Sequence, residues 1–250
     1  MLEGKRIWLT RPEGQAENLS TQLQEAGAKI ESMPMLAIQP LAIDEVIKKK
    51  VLDLDRYYAV FFISTNAARL GMEVIHNYWP QFPVQLKLYA VGPTTAGVLK
   101  EFGLTVEYPE GRMSSEALLE LDSLKQVANK KALIVRGVGG RELLATDLRE
   151  RGAQVDYLEI YRRECPAYKT GELRQLLDKH LPDAIVVTSA EALENLKGLL
   201  ERDGCSLSDT PLFVSSERIA EIASKSGFSN TVTMSGADDE AIIQSLETNC

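Results

Sequence analysis

The 250 residues carry 28 Lys and Arg against 36 Asp and Glu, a formal charge of −8, with 44% hydrophobic and 26% charged residues. That sign excludes a general binder of nucleic acid or anionic membrane, which needs a basic excess, and confines any anionic ligand to a locally positive cleft. Cys165, Cys205 and Cys250 are scattered, odd in number and without a CxxC, so no disulfide framework is expected and a reducing, cytoplasmic location is.

The opening MLEGKR lacks the apolar run of a signal peptide, and the longest apolar run, 57–63, is too short to span a bilayer. A strand is expected over 6–10, ending in Thr10-Arg11-Pro12, then a helix over 15–26 with Ala16, Leu19, Leu23 and Ala26 on one face. Gly27 stops that helix and 29–33 is the next strand. Pro34 and Pro40 bracket an extended connector at 35–38. A polar helix over 44–54 carries Lys48-Lys49-Lys50, read as a solvated face because Asp53 and Asp55 follow. Strand 59–63 enters a helix through Ser64-Thr65-Asn66. Strand 88–91 enters another through Gly92-Pro93-Thr94-Thr95, where proline suits the first helical position. Ser114 caps a helix over 115–121.

The second half repeats the plan. Strand 132–135, helix 142–151 and an extended run over 155–162 are followed by strand 184–187 and a capping box from Thr188 to Glu191. Strand 212–214, a helix over 217–226 and a last helix after Asp238 complete it. Arg11, Leu19, Leu23 and Gly27 fall on Arg136, Leu144, Leu148 and Gly152 at a constant offset of 125 (136 − 11), and Ala59 and Ser64 fall on Ala184 and Ser189. One residue shorter, the offset carries Gly103 and Glu116 onto Gly227 and Glu240. Register kept over four segments marks an internal duplication. Strands alternating with helices at these lengths make the fold class α/β, two similar domains with parallel sheets flanked by helices.

In such sheets ligands sit beyond the carboxyl ends of the strands. The residues there are Arg11, Ser64-Thr65-Asn66, Gly92-Pro93-Thr94-Thr95, Arg136-Gly137, Thr188-Ser189 and Ser215-Ser216. Each turn offers free backbone N–H groups and a helix dipole to an anion, although any one of them taken singly reads as an ordinary helix cap. Six such turns with two repeat-related arginines point to a ligand with several negative groups. Gly137-Val138-Gly139-Gly140 lacks the GK[ST] of a P-loop and the spacing of GxGxxG, and is read as a tight turn. His76 and His180 have no partners at ligand spacing, so no metal site is expected, and there is no nucleophile elbow. Catalysis on this residue set would rest on positioning.

Several stretches together resemble uroporphyrinogen-III synthase: Leu9 to Pro12 (LTRP), Phe61 to Thr65 (FFIST), Ala90 to Leu99 (AVGPTTAGVL), Arg136 to Leu144 (RGVGGRELL) and LEIYRR ending at Arg163. The resemblance spans nearly the whole chain in the family's order. It implies one discontinuous domain of residues 1–34 plus 166–250, an inserted domain of 42–154, and two antiparallel linker strands at 35–41 and 155–165, with the active site between the domains. The implied reaction closes hydroxymethylbilane, a linear tetrapyrrole with eight carboxylates, to uroporphyrinogen III. The terminal hydroxyl is lost, a spiro intermediate forms, and fragmentation and re-closure invert ring D. No cofactor or metal is implied. The only partner implied besides the substrate is a transient one, the enzyme that forms the bilane.

The family's favoured catalytic side chain carries over to Tyr161, as proton donor to the departing hydroxyl; the plain alternative is a packed linker aromatic. Thr95 matches the family's threonine in the first domain, and Ser64 and Ser189 match its repeat-related serines. Where the family often has a second glycine-led turn, this chain has Ser215-Ser216-Glu217-Arg218. That departure sustains a rival reading, a non-catalytic duplicated hinge protein that senses an anionic metabolite. A sugar-phosphate enzyme would instead show a stronger glycine fingerprint and a carboxylate or histidine in a strand-end loop.

Overall fold

The computed structural model describes residues 2–110 and 114–250; Met1 and residues 111–113, which fall inside the two expected domains, lie outside the described residues. The first sequence copy supplies β1 (Arg6–Leu9), α1 (Glu17–Glu25), β2 (Lys29–Ser32), β3 (Ala37–Pro40), α2 (Glu45–Leu52), β4 (Ala59–Phe62), α3 (Thr65–His76), β5 (Lys87–Ala90), α4 (Pro93–Glu101) and α5 (Ser115–Leu119). The second supplies β6 (Lys131–Gly137), α6 (Leu143–Glu150), β7 (Gln154–Glu164), α7 (Glu172–Lys179), β8 (Ala184–Val187), α8 (Ala190–Asp203), β9 (Leu212–Val214), α9 (Glu217–Lys225), β10 (Thr231–Thr233) and α10 (Asp239–Asn249).

The chain divides into two compact units, Met1–Ala37 with Glu164–Cys250, and Ile38–Arg163. The first unit's sheet has the order β10-β9-β8-β1-β2, with every neighbouring pair parallel. The second's has the order β3-β7-β6-β4-β5, parallel from β7 to β5. Counted along the first unit, the order is 2-1-3-4-5, that of the flavodoxin-like doubly wound sheets. At the repeat offset β1, β2, β8 and β9 fall on β6, β7, β4 and β5, and the parallel bridge between Tyr89 and Glu107 stands where β10 pairs with β9. The two units therefore repeat one sheet, but neither is one copy. Each takes a strand–helix–strand piece from one copy and the remaining strands from the other.

Burial follows the pleat. Ala184 and Val186 of β8 cluster with Leu19, Leu23, Ile242 and Leu246 of α1 and α10, whereas Ile185 and Val187 cluster with Leu173, Leu193, Leu196 and Ile219 of α7, α8 and α9. In β4, Ala59 and Phe61 join Leu118, Leu144 and Leu148 of α5 and α6, and Val60 and Phe62 join Ile47, Ala67, Met72 and Leu99 of α2, α3 and α4. Strands covered on both faces read as unbroken apolar runs, which is why AVFF and AIVV carry no polar alternation.

Local signals set the helix ends. Gly27 and Gly152, repeat mates, take φ of 92° and 85°. The next amides, of Ala28 and Ala153, reach back to the carbonyls of Leu23 (3.0 Å) and Leu148 (2.9 Å), closing α1 and α6. At the start of α8 the structure corrects the capping box by one residue. Ser189 is the cap, its Oγ accepting the Ala192 N–H at 3.1 Å, because the helix begins at Ala190. Two elements escaped the sequence reading. The eight-residue α7 follows Gly171 at φ 80°, and β10 has only three residues.

Asp203, at the end of α8, receives Nε of Arg202 at 2.8 Å and the Leu173 amide at 3.2 Å, joining α8 to the first turn of α7. The Arg202 hydrogen bond first, and the Gly171 amide next, hold its carboxyl down to about 2. The ordinary aspartate value is about 3.9, so the contact stabilises the folded state above that value and is lost as pH falls through about 2. Asp203→Asn is expected to lower the urea midpoint at neutral pH. Its difference from the unsubstituted protein should shrink between about pH 4 and about pH 2, which urea melts over that range would measure.

Candidate functional site

A crevice opens beyond a parallel sheet where adjacent strands send their connections to opposite sides. In the second unit those strands are β4, which leads through α3 to β5, and β6, which leads through α6 to β7. The residues at their carboxyl ends line a cavity of about 350 Å³. Ser64, Arg136, Gly137 and Tyr161 meet there, with Ser115, Gly139, Gly140, Arg141, Tyr157 and Arg163. Three arginines, Arg136, Arg141 and Arg163, stand on this one cavity of an acidic chain.

Arg136 is 2% exposed. Its Nε donates to the Gly137 carbonyl at 3.2 Å, its Nη2 to the Gly139 carbonyl, and its Nη1 to Oε1 of Glu142 at 2.9 Å. A buried guanidinium stripped of partners would cost several kcal/mol; two carbonyls of the glycine-rich turn and one carboxylate satisfy this one. The turn that sequence reading took for mere geometry is thus the cradle of the arginine. Its guanidinium carbon also stands 4.7 Å from the centroid of the Tyr157 ring. Oη of Tyr157 donates to the other oxygen of Glu142. Hydrogen bonds from Tyr157 first and Arg136 next hold the Glu142 carboxyl below the usual range. Burial, and then the bond to Glu142, push the Tyr157 phenol up.

Tyr161 lies beside Gly137 across the β6–β7 pair. Arg136 pairs with Glu159 and Gly137 with Tyr161, so Ile160 is an extra residue on β7, a bulge. The bulge breaks the pleat's alternation, and Ile160 and Tyr161 are both buried. Oη of Tyr161 lies 3.1 Å from Oγ of Ser64, and either hydroxyl can donate. Oγ of Ser64 also accepts the Ala67 N–H at 3.0 Å, as the cap of α3.

The other expected residues are placed as follows. Thr65 and Asn66 form the first turn of α3, beside Ser64. Gly92 is the buried N-cap of α4, with Thr94 exposed and Thr95 buried in that helix's first turn, and none of the three lines the cavity. Arg11 and Ser189 belong to the first unit, at the ends of β1 and β8, the repeat-related switch point. There Arg11 donates through Nη1 to Oδ1 of Asp239 at 2.5 Å and through Nη2 to the Ala237 carbonyl, while Asn18 holds the second Asp239 oxygen at 2.8 Å. In the rival reading's key turn, Oγ of Ser215 donates to the Thr188 carbonyl at 3.0 Å. Arg141, Glu142, Tyr157 and Arg163 were missed by sequence reasoning, although Tyr157, Glu159 and Tyr161 follow one another at a strand's spacing of two. Among the described residues no group of three or more His, Cys, Asp or Glu side chains is arranged to hold a metal ion.

Two like doubly wound units with cationic and hydroxylated turns at their switch points define a duplicated α/β protein. The family model for uroporphyrinogen-III synthase HemD matches residues 17–244. The chain belongs to the uroporphyrinogen-III synthase family. It is 32% identical over 248 residues to the uroporphyrinogen-III synthase of Escherichia coli, covering 96% of this chain and 99% of that one. With the synthase of Proteus mirabilis it shares 36% over 158 residues, 63% of this chain and 79% of the other. The solved uroporphyrinogen-III synthetase of Helicobacter pylori superposes with a TM-score of 0.65 at 13% identity, over 98% of this chain and 99% of that one. A mutant uroporphyrinogen III synthase of Thermus thermophilus gives 0.60 at 19%, over 98% and 100%. These two likenesses concern the fold. No helix among the described residues is long and apolar enough to cross a membrane.

Proposed function

We propose that this chain closes hydroxymethylbilane to uroporphyrinogen III with inversion of ring D, and that Tyr161 is its proton donor. The observation that carries the proposal is the Tyr161 hydroxyl, 3.1 Å from Ser64 in an arginine-lined cavity at the switch point of the second unit. Either hydroxyl can donate across that contact, and the proposed acid is the arrangement in which the Ser64 proton goes to Oη of Tyr161 while the Ser64 oxygen accepts the Ala67 amide. The phenol's own proton is then turned toward the cavity.

In the proposed first step that proton goes to the terminal hydroxyl of the bilane, which leaves as water. The phenolate formed is stabilised by the Ser64 hydroxyl and regains a proton when the closing pyrrole carbon loses its own. A phenol acts as a general acid here by position rather than strength. Attack through the spiro intermediate, fragmentation and re-closure then depend on how the carboxylate side chains are held. Arg136, Gly137 and the amides of Ser64, Thr65 and Asn66 would bind them in the second unit, with Gly92, Thr94 and Thr95 at the next turn. In the first unit Ser189 would do the same, and Arg11, tied to Asp239, would hold the adjoining turn in shape. The bilane would be taken in the cytoplasm by transient encounter with the enzyme that forms it.

The test is the product isomer. Freshly generated hydroxymethylbilane closes unaided to isomer I; with the purified chain, oxidation and chromatography should show isomer III in excess. Isomer I at the rate of the blank would overturn the proposal.

A further inference from the structure

We infer that Arg136 and Tyr157 form a carboxylate subsite that Glu142 holds, and that a ligand carboxylate takes it from Glu142 by exchange. The inference rests on the polycarboxylate reading of the site given above. Nε and Nη2 of Arg136 are fixed by the carbonyls of Gly137 and Gly139, which leaves Nη1 as the donor offered outward. Oη of Tyr157, from the neighbouring strand, converges on the same point. One oxygen of Glu142 takes Nη1 at 2.9 Å and the other takes Oη. Two donors aimed at the two oxygens of one carboxylate make a paired recognition site for that group.

The present occupant is loosely built in. The Glu142 side chain is 57% exposed, whereas that of Arg136 is 2% exposed. Glu142 is the residue before α6, and its side chain makes no capping bond, so swinging into water breaks no helix hydrogen bond. An incoming carboxylate of the same charge keeps the buried guanidinium paired throughout, so the exchange avoids the cost of an uncompensated buried cation. The repeat-related pair behaves differently. Asp239 is 28% exposed, sits in the first turn of α10 and is also bonded by Asn18, so it is a fixture. Sequence duplication alone would treat the two arginines alike; their carboxylate partners separate them.

A competing internal carboxylate opposes ground state and transition state equally. Removing it therefore strengthens binding without changing the chemical step. The experiment is steady-state kinetics with hydroxymethylbilane on the full chain and on Glu142→Ala and Glu142→Gln, with product isomers separated and thermal melts confirming the fold. KM is expected to fall about three- to tenfold in Glu142→Ala with kcat within about twofold, and Glu142→Gln to lie between it and the unsubstituted chain. A carboxylate needed only to brace Arg136 would instead give a raised KM, and an irrelevant one an unchanged KM; either overturns the subsite while isomer III formation still upholds the catalytic reading. Were the unsubstituted chain to yield isomer I, the catalytic reading would fail separately. Titration of tryptophan fluorescence with uroporphyrin III, itself an octacarboxylate, would then decide the subsite by whether Glu142→Ala binds it more tightly.

Discussion

Tyr161→Phe is expected to lower kcat about 100-fold while KM changes by less than about twofold, the lower range of what a positioned general acid supplies. Phenylalanine keeps the ring, and the ring is what the core of the second unit packs against, beside Ile160 and Val135. Only the hydroxyl and its 3.1 Å contact with Ser64 are lost, a stability change of about 1 kcal/mol. The effect should appear in single-turnover experiments as slower loss of the terminal hydroxyl, with the fold unchanged by circular dichroism. Isomer I should rise in the product, because unaided closure then competes. A variant as fast as the unsubstituted chain would remove Tyr161 from the chemistry and leave it a packed aromatic.

Much of the fold was legible in the sequence. Periodicity of two and of 3.6 located most strands and helices, because both faces of each sheet are covered and the chain must obey the pleat. Arg11 and Arg136 stood out together because the repeat aligns them, and Tyr161 came from family resemblance. What stayed hidden has physical causes. Three-residue β10 is too short to show a period, and α7 is a short polar segment with a leucine stripe that no proline or serine announces. The exchange of segments between copies depends on which strands pair, a long-range fact that no local pattern carries. Glu142 reads as an exposed acid at a helix start, and only the geometry of Arg136 and Tyr157 shows what it holds. The bulge at Ile160 shifts register by one residue, and a one-residue shift decides where the Tyr161 side chain goes.

Gly137→Ala should produce a loss of rate comparable to that of Tyr161→Phe, although it touches no reacting group. A Cβ on Gly137 would lie 2.6 Å from Cε2 and 2.7 Å from Cζ of Tyr161, well inside the roughly 3.5 Å at which carbon atoms rest against each other. The clash falls on a buried ring rather than on the end of a flexible chain, so the ring has to move. A displacement of about 1 Å is enough to break the contact with Ser64 and turn the hydroxyl out of line. Overpacking of this kind is expected to destabilise the protein by about 1–3 kcal/mol, which thermal melts should register as a fall of several degrees. Lost stability and lost positioning can be separated by the double variant Gly137→Ala, Tyr161→Phe. If the glycine acts through the tyrosine hydroxyl, the double variant turns over no more slowly than Tyr161→Phe alone, because the group being misplaced is already gone. Rate losses that multiplied would mean that Gly137 serves the reaction by another route, through its own amide or the shape of the turn that cradles Arg136.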